Sequence, residues 1–194
     1  MTDLQKTYQA CPKEVVDGLV EIVSVALRAR SPVGHAIDPD LVEQLVEALH
    51  ALRPHCAELG FFDALLQVAR KNWRDAIDMF RGLIARSVYV AQSRSMLVYC
   101  MNHCGDSEWR FEADALLQEG APESATTIVQ SLIARADLAQ AVDLLRSTGA
   151  FAMPESVYAA QAMADGQALS ARPAKPASAP VSTASMLMRY GLRI

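Results

Sequence analysis

Apolar residues recur every three to four positions along most of this chain, which is the spacing of amphipathic helices. Short polar stretches interrupt the pattern, so it predicts consecutive helices that fold back on one another. The predicted helices are 13–30, 41–52, 56–70, 73–86, 89–104, 108–118, 123–135, 138–148 and 154–164. Asp38 or Asp40 is the expected cap of the second helix, and Gly149 is expected to end the eighth.

A helix-turn-helix phrase recurs at 71–77 and 136–142, each time with an alanine followed by a β-branched residue. The two alanines, Ala76 and Ala141, are 65 residues apart (141 − 76), close to twice the tetratricopeptide period of about 34 residues. Gly105 follows the first turn by 34 residues (105 − 71), so a further turn falls in register. This spacing predicts a stack of helix pairs that presents a concave face to a partner.

Composition supports an all-α, tetratricopeptide-like helical-repeat stack with a disordered C-terminal tail. Only 6% of the residues are aromatic, and small apolar residues suit close helix packing. We expect the repeat domain to span 1–165, followed by a flexible Ala/Pro/Ser-rich linker at 166–185. A short apolar segment, 186–194, follows the linker. It is expected to dock on a partner, to fold back on its own groove, or to fray.

Charge and targeting signals narrow the function classes. The net charge of −4 and the absence of a basic run argue against nucleic acid as a partner. The first residues lack the basic and apolar regions of a secretory signal peptide, and no apolar run is long enough to span a bilayer. Four cysteines are too few for a disulfide scaffold. These features predict a cytoplasmic protein.

Candidate chemistry is sparse. Cys100, His103 and Cys104 share one face of a predicted helix, where they suit packing better than zinc binding or redox switching. We therefore expect no metal and no cofactor. The chain has no nucleophile-elbow motif, no phosphate-binding glycine loop and no convincing pair of catalytic carboxylates. The prediction is a protein that is not an enzyme.

The helix register indicates a binding groove, because the first helix of each pair lines the concave side of such a stack. The candidate groove residues are Phe61, Leu65 and Val68, and, 34 positions later, Ser95, Tyr99 and Asn102. Phe61 and Leu65 are apolar enough to hold an amphipathic helix of a partner. The alternative is that these residues pack against the adjacent repeat.

Several segments together resemble the HrpB-one/HrpK family of bacterial type III secretion proteins. They are Ala51-Leu52-Arg53-Pro54-His55, Asp63 to Arg70, Trp73-Arg74-Asp75-Ala76-Ile77, and Cys104-Gly105-Asp106 with Trp109 and Ala113. The resemblance covers roughly residues 15–150. Lys71 departs from it, because the family more often has glycine at this position.

The resemblance implies an accessory component of a secretion injectisome in a Gram-negative bacterium. Family members are described as self-associating, periplasmic and bound to peptidoglycan, although this sequence has no signal peptide. The family is also similar to cytosolic tetratricopeptide chaperones that hold needle subunits. We therefore expect a non-catalytic protein that binds a needle or pilus subunit through its groove. The alternative is a structural component in the periplasm that associates with peptidoglycan.

Overall fold

The computed structural model describes residues 11–28 and 38–170, with side chains described as far as Met163. The helices are α1 (Lys13–Arg28), α2 (Pro39–Leu52), α3 (Gly60–Ala69), α4 (Trp73–Ala85), α5 (Val90–Cys104), α6 (Trp109–Gln118), α7 (Glu123–Thr148) and α8 (Glu155–Ser170). A 3-10 turn, Ala57–Leu59, precedes α3. These two described ranges contain no β-strand, and the predicted all-α class is confirmed.

The chain divides into two compact units, one up to Ser93 and one from Arg94 onwards. α8 continues to Ser170, so 166–170 are helical although the sequence predicted a linker from 166. The rest of that linker and the apolar segment 186–194 lie outside the described residues, and the domain bounds stay a prediction.

The first unit packs α1 to α4 through side chains spaced three or four residues apart, which places them on one face of each helix. Its buried side chains include Val16, Val20 and Val23 of α1, Val42, Val46 and Leu49 of α2, Phe62 and Leu66 of α3, and Ile77, Phe80 and Leu83 of α4. Asp38 is the cap of α2, since its carboxylate accepts a hydrogen bond from the Asp40 backbone N–H at 3.0 Å.

Ion pairs at both ends of α2 fix this helix against α3. The Arg70 guanidinium donates to both carboxylate oxygens of Glu43, at 2.9 and 2.7 Å, and to Asp40 at 2.6 Å. His50 Nε2 lies 2.9 Å from the Asp63 carboxylate. Because a planar guanidinium can bind a carboxylate through two parallel hydrogen bonds, the Arg70 pair also fixes the angle between the helices.

The turns that follow α3 and α5 have the same backbone geometry. Lys71 and Gly105 have φ angles of 62° and 73°, in the left-handed region that favours glycine. In each turn the following N–H bonds to a carbonyl five residues earlier, from Asn72 to Gln67 (2.9 Å) and from Asp106 to Met101 (3.0 Å). These are Schellman caps 34 residues apart (105 − 71). The tetratricopeptide-like repeat itself stays a prediction.

The second unit has its core between the later part of α5, α6 and the first half of α7. The buried cluster consists of Val98 from α5, Ala113 and Leu116 from α6, and Val129, Leu132 and Ile133 from α7. Tyr99 and Trp109 pack against it while staying partly buried. Trp109, which follows the second turn, therefore belongs to this core.

The predicted fourth helix pair is wrong, because 123–148 forms one continuous helix of 26 residues. The expected turn at Ala136 and Asp137 lies inside α7. The stretch between Glu123 and Gly149 contains neither glycine nor proline, and its alanines and leucines favour helix. Gly149, with a φ of 74°, ends the helix as predicted.

Asp137 has a tertiary role in the middle of α7. Its carboxylate accepts a hydrogen bond from Arg110 of α6 at 2.8 Å and another from the Ser156 hydroxyl of α8 at 2.6 Å. These bonds, with that from Arg110 the larger cause, hold the pKa of Asp137 below its usual value. One ionised carboxylate thus connects three helices.

We expect Lys71→Gly to raise the free energy of unfolding by about 0.5–1 kcal/mol, because glycine relieves the strain of a left-handed side-chain residue. The matched change Gly105→Lys should lower it by about the same amount, since no heavy atom lies within 4 Å of the position of an added Cβ and only the backbone is strained. Urea denaturation measures both. A loss of stability in Lys71→Gly would contradict the turn geometry.

Asp137→Asn should lower the free energy of unfolding by about 2 kcal/mol at pH 7, because it weakens two bonds to a charged acceptor. The matched control is Asp143→Asn on the same helix, whose pair with Arg146 is exposed and should contribute less than about 0.5 kcal/mol.

The effect of Asp137→Asn should also depend on pH. The pKa of Asp137 is lower in the folded chain, so its stabilisation is complete above about pH 4 and is lost as the pH falls through the folded value. Urea denaturation between pH 7 and pH 2 should therefore show the parent approaching the variant. A constant difference would contradict the ionised network.

Candidate partner-binding surfaces

Helix α1 carries more apolar surface than the first unit covers. Beside its buried valines, a second row of apolar side chains is half exposed: Val15 at 50%, Ile22 at 54% and Val25 at 55%. Residues seven and ten positions apart lie on one face of a helix, so these three side chains form a stripe, called here the α1 face. Glu14 and Glu21 are exposed along its edge.

The predicted groove residues of α3 are only partly exposed. The Phe61 ring packs edge-on against Phe80 (5.7 Å between centroids) and Tyr89 (5.8 Å), inside the first unit. Leu65 and Val68 are also partly buried. Phe61 therefore supports the local packing, whereas Leu65 and Val68 keep part of their surface exposed.

The predicted groove residues of α5 lie in the second unit. Ser95 is buried, with 1% of its surface exposed. The Tyr99 ring packs against the α5–α7 cluster and lies 4.2 Å from the His103 ring, while Asn102 is partly exposed. Because the α3 and α5 residues belong to different units, a common groove stays a prediction.

The cysteines and histidine of α5 do not share one environment. Cys100 is buried, and burial raises the pKa of its thiol to about 12. Cys104 is exposed, and His103 Nδ1 is 2.9 Å from the Tyr99 carbonyl oxygen. The described part of the chain contains no group of three or more His, Cys, Asp or Glu side chains that could hold a metal ion.

Two carboxyl groups have clearly shifted pKa values, and both are lowered. Hydrogen bonds from Arg70 lower the pKa of Glu43, and Arg110 does the same for Asp137. A general acid for glycoside hydrolysis needs a raised pKa. These two carboxylates therefore act as ionised structural partners of arginines.

An open cavity of about 380 Å³ lies where α2 meets the 3-10 turn, and the sequence did not predict it. It is lined by Leu52, Arg53, Pro54, His55 and Cys56. The Arg53 guanidinium donates to the Leu52 and Cys11 carbonyls at 2.9 and 3.1 Å. These bonds hold Arg53 against the backbone, so the Arg-Pro-His segment shapes a corner of the first unit.

A second set of exposed apolar side chains, also missed in the sequence, lies on the last turns of α7, the link after it and the first turn of α8. It consists of Leu144 (53%), Leu145 (40%), Phe151 (46%), Met153 (42%) and Tyr158 (61%), and is called here the C-terminal patch. The sequence shows these apolar residues on both sides of Gly149. It does not show their exposure, which depends on how α8 packs against α7.

These features define an all-α protein with exposed apolar helix faces. The family model described as "Bacterial type III secretion protein (HrpB1_HrpK)" matches residues 6–138, and the chain belongs to this family. No curated protein and no solved structure matches the chain. In the described residues, no helix has the length and apolarity needed to cross a membrane.

Alkylation should separate the two cysteines of α5. At pH 7.5 iodoacetamide should label Cys104 quickly and Cys100 at least tenfold more slowly, because only a thiolate reacts and burial keeps the Cys100 thiol protonated. Peptide mass spectrometry measures both rates, with Cys104→Ser as the control. Equal labelling of the two cysteines in the folded protein would contradict the buried position of Cys100.

Proposed function

We propose that this chain is a non-catalytic accessory protein that binds another component of the type III secretion system, a needle or pilus subunit. Membership of the family connects the chain with type III secretion. The observation that carries the proposal is the α1 face, a row of half-exposed branched side chains on a helix already packed in a core. Such a row is a docking surface for the apolar side of a partner helix.

The energetics favour capture of a complementary helix. Covering the exposed half of one such side chain contributes on the order of 1 kcal/mol to the free energy of binding, and the α1 face has three of them. Glu14 and Glu21 border the face, so a partner with basic residues beside its apolar stripe gains electrostatic complementarity. Coverage of an export subunit in this way would prevent its premature polymerisation.

The groove predicted from the helix register is part of the proposal. In the first unit Leu65 and Val68 would contact the partner, while Phe61 packs against Phe80 and Tyr89. In the second unit Tyr99 and Asn102 would make the contacts, because Ser95 is buried. The lowered pKa values of Glu43 and Asp137 support a role without acid catalysis.

A tagged pull-down from cells that express the whole secretion system tests this function. The tagged chain should recover a small needle or pilus subunit from the cytosolic fraction, and Ile22→Asp should reduce that recovery at least tenfold. The matched control is Leu41→Asp on α2, which places the same charge at a side chain about equally exposed, 57% against 54%, outside both apolar surfaces. It should leave recovery within twofold.

Other outcomes have distinct meanings. If Ile22→Asp binds as well as the parent, the α1 face is not the docking surface, and Leu65→Asp then tests the α3 residues. If the chain is recovered from the periplasm with peptidoglycan and without a subunit, the chaperone-like function is wrong. That result would establish the alternative, a structural component of the secretion apparatus.

A further inference from the structure

Most of the C-terminal patch lies on the end of α7 and on the link, 149–154, that follows this helix. The Ser156 hydroxyl bonds to Asp137, so α8 begins beside the middle of α7, about 16 Å back from its end at 1.5 Å per residue. The link from Gly149 to Pro154 must therefore return along the last turns of α7. Phe151 and Met153 on the link thus lie along the same stretch of helix as Leu144 and Leu145.

The C-terminal patch contributes nothing to the core. Every residue from Asp143 to Met153 is exposed, and the C-terminal patch includes two aromatic side chains. The match to the family ends at Leu138, so the patch lies beyond the matched residues. Several large exposed apolar side chains that contribute nothing to the core are typical of a binding site.

We propose that residues 186–194 of this same chain bind the C-terminal patch. When the segment is extended, alternate side chains share a face, and one of the two faces is entirely apolar. Apolar side chains then share one face at Met186, Met188, Tyr190, Leu192 and Ile194, while Leu187, Arg189, Gly191 and Arg193 share the other. One face can cover the patch, and the arginine face can stay in water.

Charge complementarity favours this occupant. Residues 171–194 carry four cationic side chains and no Asp or Glu, namely Arg172, Lys175, Arg189 and Arg193. The segment 147–170, which includes the link and α8, carries Glu155 and Asp165 and no Lys or Arg. A basic segment is therefore attracted to the acidic helix that borders the patch.

The connection has sufficient length. Fifteen residues, 171–185, separate the end of α8 from the segment, and such a length spans at most about 50 Å. α8 is about 24 Å long, with 16 residues at 1.5 Å each. The maximum span of 171–185 exceeds the lengths of α8 and of the returning link together, so the segment can reach the patch within the same chain.

A photo-crosslinking amino acid in place of Tyr158 tests the proposal in the full chain, since this side chain is 61% exposed within the patch. A mixture of isotopically light and heavy chains distinguishes crosslinks within one molecule from those between two. We expect crosslinks from position 158 to 186–194 within one molecule. The same amino acid at Arg81, exposed in the first unit, serves as the site control.

Two substitutions separate the faces of the segment. Leu192→Asp should reduce the crosslink at least fivefold, whereas Leu187→Asp, the same change on the opposite face, should leave it within twofold. Equal loss in both variants would show that the alternating face does not bind. Crosslinks only between light and heavy chains would show that the occupant comes from a second copy. No crosslink to 186–194 would overturn the proposal altogether.

Discussion

The contact on which the second unit depends is the ionised carboxylate of Asp137. It receives Arg110 from α6 and Ser156 from α8, so it connects the core cluster to the last helix. The bond to Ser156 also determines where α8 begins, and hence makes the link run back along α7. A charge in the middle of a helix therefore connects α6 and α8 to α7, and the last turns of α7 extend beyond this contact.

Local signals explain which parts of the fold were predictable. The helix pairs around Lys71 and Gly105 were predicted because apolar periodicity and turn position are encoded within a few residues. The predicted turn at Ala136 does not form, because neither glycine nor proline interrupts the helix formers between Glu123 and Gly149. Asp137 lies in that predicted turn in the sequence, and only its tertiary partners, Arg110 and Ser156, show its role inside the helix.

The candidate surfaces were less predictable than the helices, for a physical reason. Periodicity shows that Val15 and Ile22 share a face of α1, but it does not show whether another helix covers that face. Ser95 and Tyr99 were likewise placed on a groove by register alone, whereas Ser95 is buried and Tyr99 packs against the cluster formed with α6 and α7. Exposure is a property of the packed molecule and not of one helix.

The two exposed apolar surfaces differ in origin. The α1 face lies within the region matched by the family. The same helix supplies buried valines to the core, so removal of α1 as a whole would affect the first unit. The C-terminal patch lies after Leu138, beyond the buried cluster. Its leucines can change without disturbing that cluster, since they contribute nothing to it. Apolar residues at such positions cost solubility unless something covers them. The segment 186–194 has apolar side chains at alternate positions and two arginines, and residues 171–185 are long enough to let it reach the patch.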